Sequence, residues 1–377
     1  MKKKIFFLHL TGGPLIEKDK IIFTEGGLVH ALSASVNLKD DYEIKILCPN
    51  PPGQKGKREI DYRGVKIISL GGSRWLKLAQ YGNLNFFKEV RKYIGELKPD
   101  FLIGNNLTAS FLILFYPKKI KKIGIIHHLY STLDGKIQPL IWIIRKLENF
   151  ALILIKKLDA IGTVNYLVRD ILIKRGYPKE KILIVGNGID IQSFPFCEKK
   201  IKNSLIFIGR LAELKGVEDL TDVVWQVKKE IPKIILHLIG DGPKYSEIKK
   251  KIERLKLSDN VVMYGYLGDE EKIEVLKNCA IYISASKLEG FGIPLIEAMA
   301  TGCVPVVSDI YAHRFIFQEK SVGYLIKDNK EMVEKIISLF KNENLRLSLA
   351  KEGRKLVEGN WTWEKVGERY KELLEIL

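Results

Sequence analysis

The chain has 377 residues, too many for one hydrophobic core of usual size, so two domains are expected. A content of 46% apolar and 28% charged residues excludes a disordered chain, and no uncharged apolar stretch approaches the ~20 residues of a membrane span. The net charge of +17 is lopsided: residues 1–195 hold 32 Lys and Arg against 17 Asp and Glu, whereas 196–377 hold 30 against 28. The basic half either attracts anions, such as phosphorylated substrates, anionic lipid head groups or nucleic acid, or is a lysine-rich solvated surface.

The opening MKKKIFFLHLTGG imitates a secretory signal, but its apolar run contains His9 and stops at Thr-Gly-Gly without a small-residue cleavage site. A first β-strand is expected there instead. A long loop follows, and then TEGGLVHAL places Gly26 and Gly27 just before a helix running toward Leu38. Glycines at that point let the backbone approach a phosphate or sugar closely, or form a plain tight turn.

Further along, EIKILCP, VKIISL, DFLIGNN, IGIIHH, DAIGTV and KILIVGN read as strands separated by amphipathic helices, the rhythm of βα units on a parallel sheet. IGIIHH ends in His127 and His128, either of which could act as a base or hydrogen-bond partner, or be structural. The segment from Gln138 to Ile161 mixes large apolar residues with Arg145, Lys146, Lys156 and Lys157. It fits a membrane-surface helix or a core helix with a basic outer face.

The strand signal lapses between Asp190 and Lys202, and the rhythm then restarts with SLIFIGR, KIILHLIG, NVVMYGY, AIYISAS and CVPVVSD. The expected domains are therefore 1–195 and 196–358, with 359–377 a final helix after a break at Gly359. IFIGRLAELKG brings Gly209 and Arg210 to a strand end and Lys215 to the next turn, a pair of cations suited to a diphosphate or an ordinary basic turn. LIGDGP is a weaker glycine-rich strand exit.

SKLEGFGIPLIEAMATG is read as strand exit, loop and helix, with Pro294 at the first helical position and Glu297 in the first turn. Glu289 lies in the loop, and the free N–H groups of the turn favour an anion. Alternatively, Glu297 stabilises the start of its own helix. The four cysteines, Cys48, Cys197, Cys279 and Cys303, lack metal-type spacing and read as thiols in a reducing compartment.

Together these residues resemble the retaining glycosyltransferases of family 4 (group 1), whose GT-B fold sets two Rossmann-like, doubly wound parallel α/β domains facing a central cleft. The resemblance rests on Gly26-Gly27, His127, VGNGID with Phe194, GRLAELKG, GDG and EGFGIPLIEAMATGCVPVVSD. It implies that Arg210 and Lys215 hold the donor diphosphate and that Glu297 binds the ribose. It also implies that Glu289 lies beside the donor sugar, that the amides of Gly290, Phe291, Gly292 and Ile293 line sugar and phosphates, and that His127 lies near the transferred sugar. Gly265 and Tyr266 fall at the base-contacting strand exit, and the final helix returns to the first domain.

The resemblance further implies a hexose donor in the form of a nucleoside-diphosphate sugar, a glycan or lipid-linked acceptor, and no metal or other cofactor, the basic pair taking the metal's place. No Asp-x-Asp motif occurs. A cytoplasmic enzyme, peripheral at an anionic membrane surface, is expected. An epimerase or hydrolase of the same fold is the enzymatic alternative. No nucleic-acid partner is expected, because the chain lacks a basic-aromatic recognition motif. The chain departs from the family's pattern after PVVSD, where Phe315 stands in the place of an acid, and in the long loop between Leu10 and Gly26.

Overall fold

The computed structural model describes residues 2–10, 13–17, 20–22, 26–50, 56–70, 84–129, 139–198 and 200–377. They form two compact units, Met1–Gly186 with Trp363–Leu377, and Asn187–Thr362.

The first unit contains strands β1 (Lys3–Leu8), β2 (Leu15–Glu17), β3 (Lys20–Ile22), β4 (Tyr42–Pro49), β5 (Arg58–Tyr62), β6 (Val65–Leu70), β7 (Phe101–Gly104), β8 (Lys121–Ile126), β9 (Ala160–Thr163) and β10 (Ile182–Ile184). Its helices are α1 (Gly26–Val36), α2 (Leu84–Leu97), α3 (Leu107–Leu112), α4 (Pro139–Leu154) and α5 (Tyr166–Lys174), joined by a last helix from the chain's end. The sheet order is β10-β9-β8-β7-β1-β4-β6-β5, parallel except for β5 at the edge, which pairs antiparallel with β6. The hairpin β2-β3 occupies part of what the sequence presents as a plain loop.

β1 shows why its sequence is a continuous apolar run. Phe6 and Leu8 pack on one side with Phe86 and Val90 of α2, while Ile5 and Phe7 pack on the other with Leu28 and Ala31 of α1. A parallel strand covered on both faces has no polar side to alternate. Each such fully buried side chain contributes about 1.5–3 kcal/mol.

The second unit contains β11 (Ser204–Ile208), β12 (Ile235–Ile239), β13 (Val261–Gly265), β14 (Ile281–Ser284), β15 (Val304–Ser308) and β16 (Tyr324–Ile326), all parallel in the order β13-β12-β11-β14-β15-β16. Its helices are α6 (Val217–Glu230), α7 (Tyr245–Arg254), α8 (Asp269–Asn278), α9 (Ile293–Thr301), α10 (Tyr311–Phe317), α11 (Asn329–Lys341) and α12 (Glu343–Asn360). The helix α13 (Trp363–Glu375) belongs to the first unit, where Val366, Tyr370, Leu373 and Leu374 join the core shared with α1.

Both boundaries fall elsewhere than composition places them. The first unit ends at Gly186, not Pro195, because the following segment is bonded within the second unit: Ile189 N donates to Trp361 O (3.0 Å) and Cys197 N to Thr301 O (3.2 Å). The break expected at Gly359 comes after Asn360, since α12 runs through that glycine. A Cβ there would meet nothing within 4 Å, so Gly359 faces open space and costs the helix only about 1 kcal/mol.

Candidate active site

In the second unit the chain leaves β11 toward β12 and β13 on one side and later fills β14 to β16 on the other. The crevice beyond the ends of β11 and β14 is thus the reversal point where doubly wound sheets bind ligands. β11 delivers Gly209 and exposed Arg210 there, and β14 delivers Ser286 to Glu289. Two glycines keep the loops in contact. Gly240 has φ 135° and a Cβ would lie 1.9 Å from Gly209 O; Gly216 has φ 61° and a Cβ would lie 2.2 Å from Ala285 O. Lys287 N donates to Leu214 O at 2.8 Å and joins the loops directly.

Lys215 pairs with Glu289 at this point, Nζ to Oε2 at 2.5 Å, with side-chain exposures of 25% and 17%. The other carboxylate oxygen accepts from Ser286 Oγ (2.8 Å), and Ser308 Oγ donates to Ser286 O (2.6 Å). Glu289 is therefore fixed by two direct bonds, from Lys215 and Ser286, the second of these itself anchored by Ser308, and is not a free loop acid. Gly290 to Ile293 lead into α9 and are anchored by Phe291, whose buried ring meets Phe315 and Trp361 at centroid distances of 5.9 and 5.6 Å. Phe315, in the position of the family's acid, is thus a packing residue.

Glu297 corrects the expectation made for it. α9 begins at Ile293, so Pro294 is its second residue and Glu297 lies in the second turn. Its carboxylate does not serve the helix start. It is buried and accepts from Lys272 Nζ of α8 at 2.8 Å, Lys272 also reaching Asp269 at 3.1 Å. Burial raises the Glu297 pKa, and the ion pair with Lys272 opposes that shift without cancelling it. Tyr282 lies near both Glu289 and Glu297; burial first, and then the two carboxylates, push its hydroxyl pKa well up.

Gly265 ends β13 with φ 69° and its carbonyl accepts from Gly240 N at 2.7 Å; Tyr266 beyond it is 86% exposed. They stand two strands from Arg210, on the β12 side. Sequence reading overlooked His313, buried in α10, whose Nδ1 donates to Ser308 O at 2.7 Å. Burial lowers its pKa, and its surroundings include Glu289 and Lys215. The neutral ring then has Nε2 as its acceptor.

In the first unit, Gly26 and Gly27 begin α1 instead of preceding it. Gly27 O accepts from Asn105 Nδ2 (2.7 Å), Asn105 also meets His9 Nδ1 (3.1 Å), and its Oδ1 faces His127 Nε2 (3.2 Å). His30 of α1 meets the His127 ring edge-on, centroids 4.8 Å apart, and bonds through Nε2 to Tyr370 OH of α13 at 3.0 Å. Of the tandem histidines, His127 is half-buried in this cluster and His128 is exposed. Burial first, then His30, His128 and His9, hold the His127 pKa well below its ordinary value. Among the described residues, no group of three or more His, Cys, Asp or Glu is placed to hold a metal ion.

Two family models match the chain, Glycosyltransferase Family 4 over residues 25–193 and Glycosyl transferases group 1 over residues 189–356. The chain belongs to these family 4, group 1 glycosyltransferases. An uncharacterized glycosyltransferase of Methanocaldococcus jannaschii is 27% identical over 377 residues, 93% of this chain and 95% of that one. The poly(glycerol-phosphate) alpha-glucosyltransferase of Bacillus subtilis is 32% identical over 160 residues, 42% of this chain but 24% of that enzyme.

Among solved structures, Anabaena HepE in complex with UDP and glucose superposes with a TM-score of 0.75 at 16% identity, covering 100% of both chains. Staphylococcus aureus TarM, in a complex that includes UDP, gives 0.71 at 17% identity over 98% and 99%. These likenesses show that this glycosyltransferase has the GT-B fold.

Proposed function

We propose that this glycosyltransferase moves a hexose, with retention at the anomeric carbon, from a uridine-diphosphate sugar to a glycan or lipid-linked acceptor in polysaccharide or glycolipid synthesis. The carrying observation is the fixed Lys215–Glu289 pair at the strand-reversal point where Arg210 emerges. Charge develops in the transition state on the departing diphosphate and on an oxocarbenium-like sugar, and preorganised charges of opposite sign stabilise both. Arg210 and Lys215 take the diphosphate, in the role a metal has elsewhere, so no metal or cofactor is required.

Glu289 takes the sugar, with the amides of Gly290 to Ile293. Glu297, aimed by Lys272, offers its second oxygen to the ribose hydroxyls. Gly209, Gly265 and Tyr266 border the base side, and Gly26, Gly27 and His127 serve the transferred sugar. Uracil is chosen as the base because the structural neighbours HepE and TarM are complexes with UDP.

The acceptor reading draws on α4. Over its described second half α4 exposes Leu147 at 64%, Phe150 at 56% and Ile153 at 64%, with Phe115 of the neighbouring turn at 70%, and Lys146, Asn149, Lys156 and Lys157 are exposed around them. This surface supports contact with an anionic membrane surface, at which the enzyme acts peripherally on the cytoplasmic side. No described helix is long and apolar enough to cross a membrane. Cys48, Cys279 and Cys303 are buried free thiols, in keeping with a reducing compartment.

Calorimetry of UDP and GDP against wild type, Arg210→Ala and Lys215→Ala tests the donor site. UDP is expected to bind more tightly than GDP, and each substitution to weaken it by about 1.5–3 kcal/mol, the scale of a hydrogen bond to a charged group. Absence of binding by either nucleotide to the wild type would sink this reading.

A further inference from the structure

Asn105 follows β7 where the eight-stranded sheet reverses its order, between the ends of β1 and β7. It is fully buried, and one amide reaches Gly27, His9 and His127 together. These partners determine its orientation. The Gly27 carbonyl only accepts, so the amide nitrogen faces it and Oδ1 faces His127. Oδ1 also only accepts, so the His127 proton resides on Nε2. The second amide hydrogen goes to His9 Nδ1, which must be unprotonated; burial keeps His9 neutral by lowering its pKa to about 4.

We propose that Asn105 is a positioning residue for the transfer reaction: it holds His127 as the neutral Nε2–H tautomer, so that Nδ1 accepts from a hydroxyl of the sugar, and it ties the Gly27 backbone to that histidine. The inference rests on the reading of His127 as a partner of the sugar. A tautomer with the proton on Nδ1 would present a donor there in place of an acceptor, and a protonated ring would present no acceptor at all.

The groups around His127 keep it uncharged. His30 meets its ring, His128 and His9 lie close enough to disfavour its protonation, and Tyr370 OH lies beyond His30. Burial contributes most to this, and a hydrogen bond to the Asn105 backbone opposes it without cancelling it. The clamp also leaves little room for a side chain at half-buried Gly27, where a Cβ would stand 3.2 Å from the His9 ring.

The test is the nitrogen spectrum of the full chain labelled with nitrogen-15 histidine, with His127→Gln to assign the resonance. In the wild type His127 is expected to show a protonated Nε2 and an unprotonated Nδ1. Asn105→Ala is expected to mix the tautomers. Asn105→Asp puts a negative charge opposite the ring, and His127 should then titrate about 1–3 pH units higher than in the wild type.

With UDP-glucose as the donor probe, Asn105→Asp should lower kcat roughly 10- to 100-fold, by analogy with the loss of outer partners of metal-ligating histidines, while UDP affinity stays within about twofold. Retained circular dichroism and thermal unfolding show that the unit carrying Asn105 folds in the variants, and retained UDP affinity shows the same of the second unit. The proposal is overturned by a proton on Nδ1 in the wild type, by a tautomer and titration unchanged in both variants, or by a moved titration with unchanged kcat. The spectra decide the tautomer even if UDP-glucose is not turned over, so failure of the functional reading remains distinguishable.

Discussion

Replacing Lys272 by Met removes the partner of a carboxylate that has little access to water. The pair is 2.8 Å apart with side-chain exposures of 15% and 9%, so solvent screening discounts it little. Breaking such a pair costs about 3–5 kcal/mol if the orphaned charge stays. Glu297 can instead take up a proton. From an unfolded value of 4.5, that costs about 1.4 kcal/mol per pH unit, or roughly 3 kcal/mol at pH 7 and under about 1 kcal/mol at pH 5.

Protonation therefore costs no more than the low end of that range at neutral pH, sets a ceiling of about 3 kcal/mol there, and becomes clearly the cheaper route as the pH falls. The sign follows from linkage. A carboxyl whose folded pKa is raised binds more protons folded than unfolded, so stability falls as pH rises through the window above 4.5, and the variant widens that window upward. Urea unfolding of both proteins across about pH 5 to 7 reads the difference directly. Adding Glu297→Gln to Lys272→Met should remove the pH dependence and restore most of the loss. A loss that stays flat with pH, or that persists in the double variant, would show that Glu297 is not the charge Lys272 serves.

The glycine walls of the site make a paired prediction. Gly240→Ala meets Gly209 O at 1.9 Å and an unfavourable φ, whereas Gly265→Ala meets open space and carries only left-handed strain. The second should cost about 1–2 kcal/mol and the first clearly more; equal losses in thermal unfolding would contradict the crowding at Gly209. On α4, Leu147→Glu with Phe150→Glu should lower flotation with anionic vesicles by on the order of tenfold or more, since each large apolar contact contributes about 1.5–3 kcal/mol when buried. UDP affinity should be unchanged. Equal failure of the wild type to float with neutral and anionic vesicles would remove the membrane reading.

Most strands were legible because two-sided burial in a parallel sheet writes itself as a short apolar run, and β1, β11 and β14 are such runs. The pieces that escaped are those with weak local signals: the three-residue strands β2, β3 and β16, and β5, whose alternate residues face outward at the sheet edge. Glu289, Lys215 and Arg210 could be picked out because glycines mark the loops that carry them. The pairing of Lys215 with Glu289 could not, since they lie 74 positions apart.

Local residue types and their periodicity determined the two doubly wound sheets, the glycine-marked strand ends and the choice of charged candidates. Only the tertiary structure decided the rest: that Glu297 answers to Lys272 and not to its own helix, that His127 and not His128 turns inward, and that Asn105 reaches Gly27 across 78 positions. Apolar patterning is imposed residue by residue by burial. A polar side chain's partner is set by which strand ends the sheet order brings side by side.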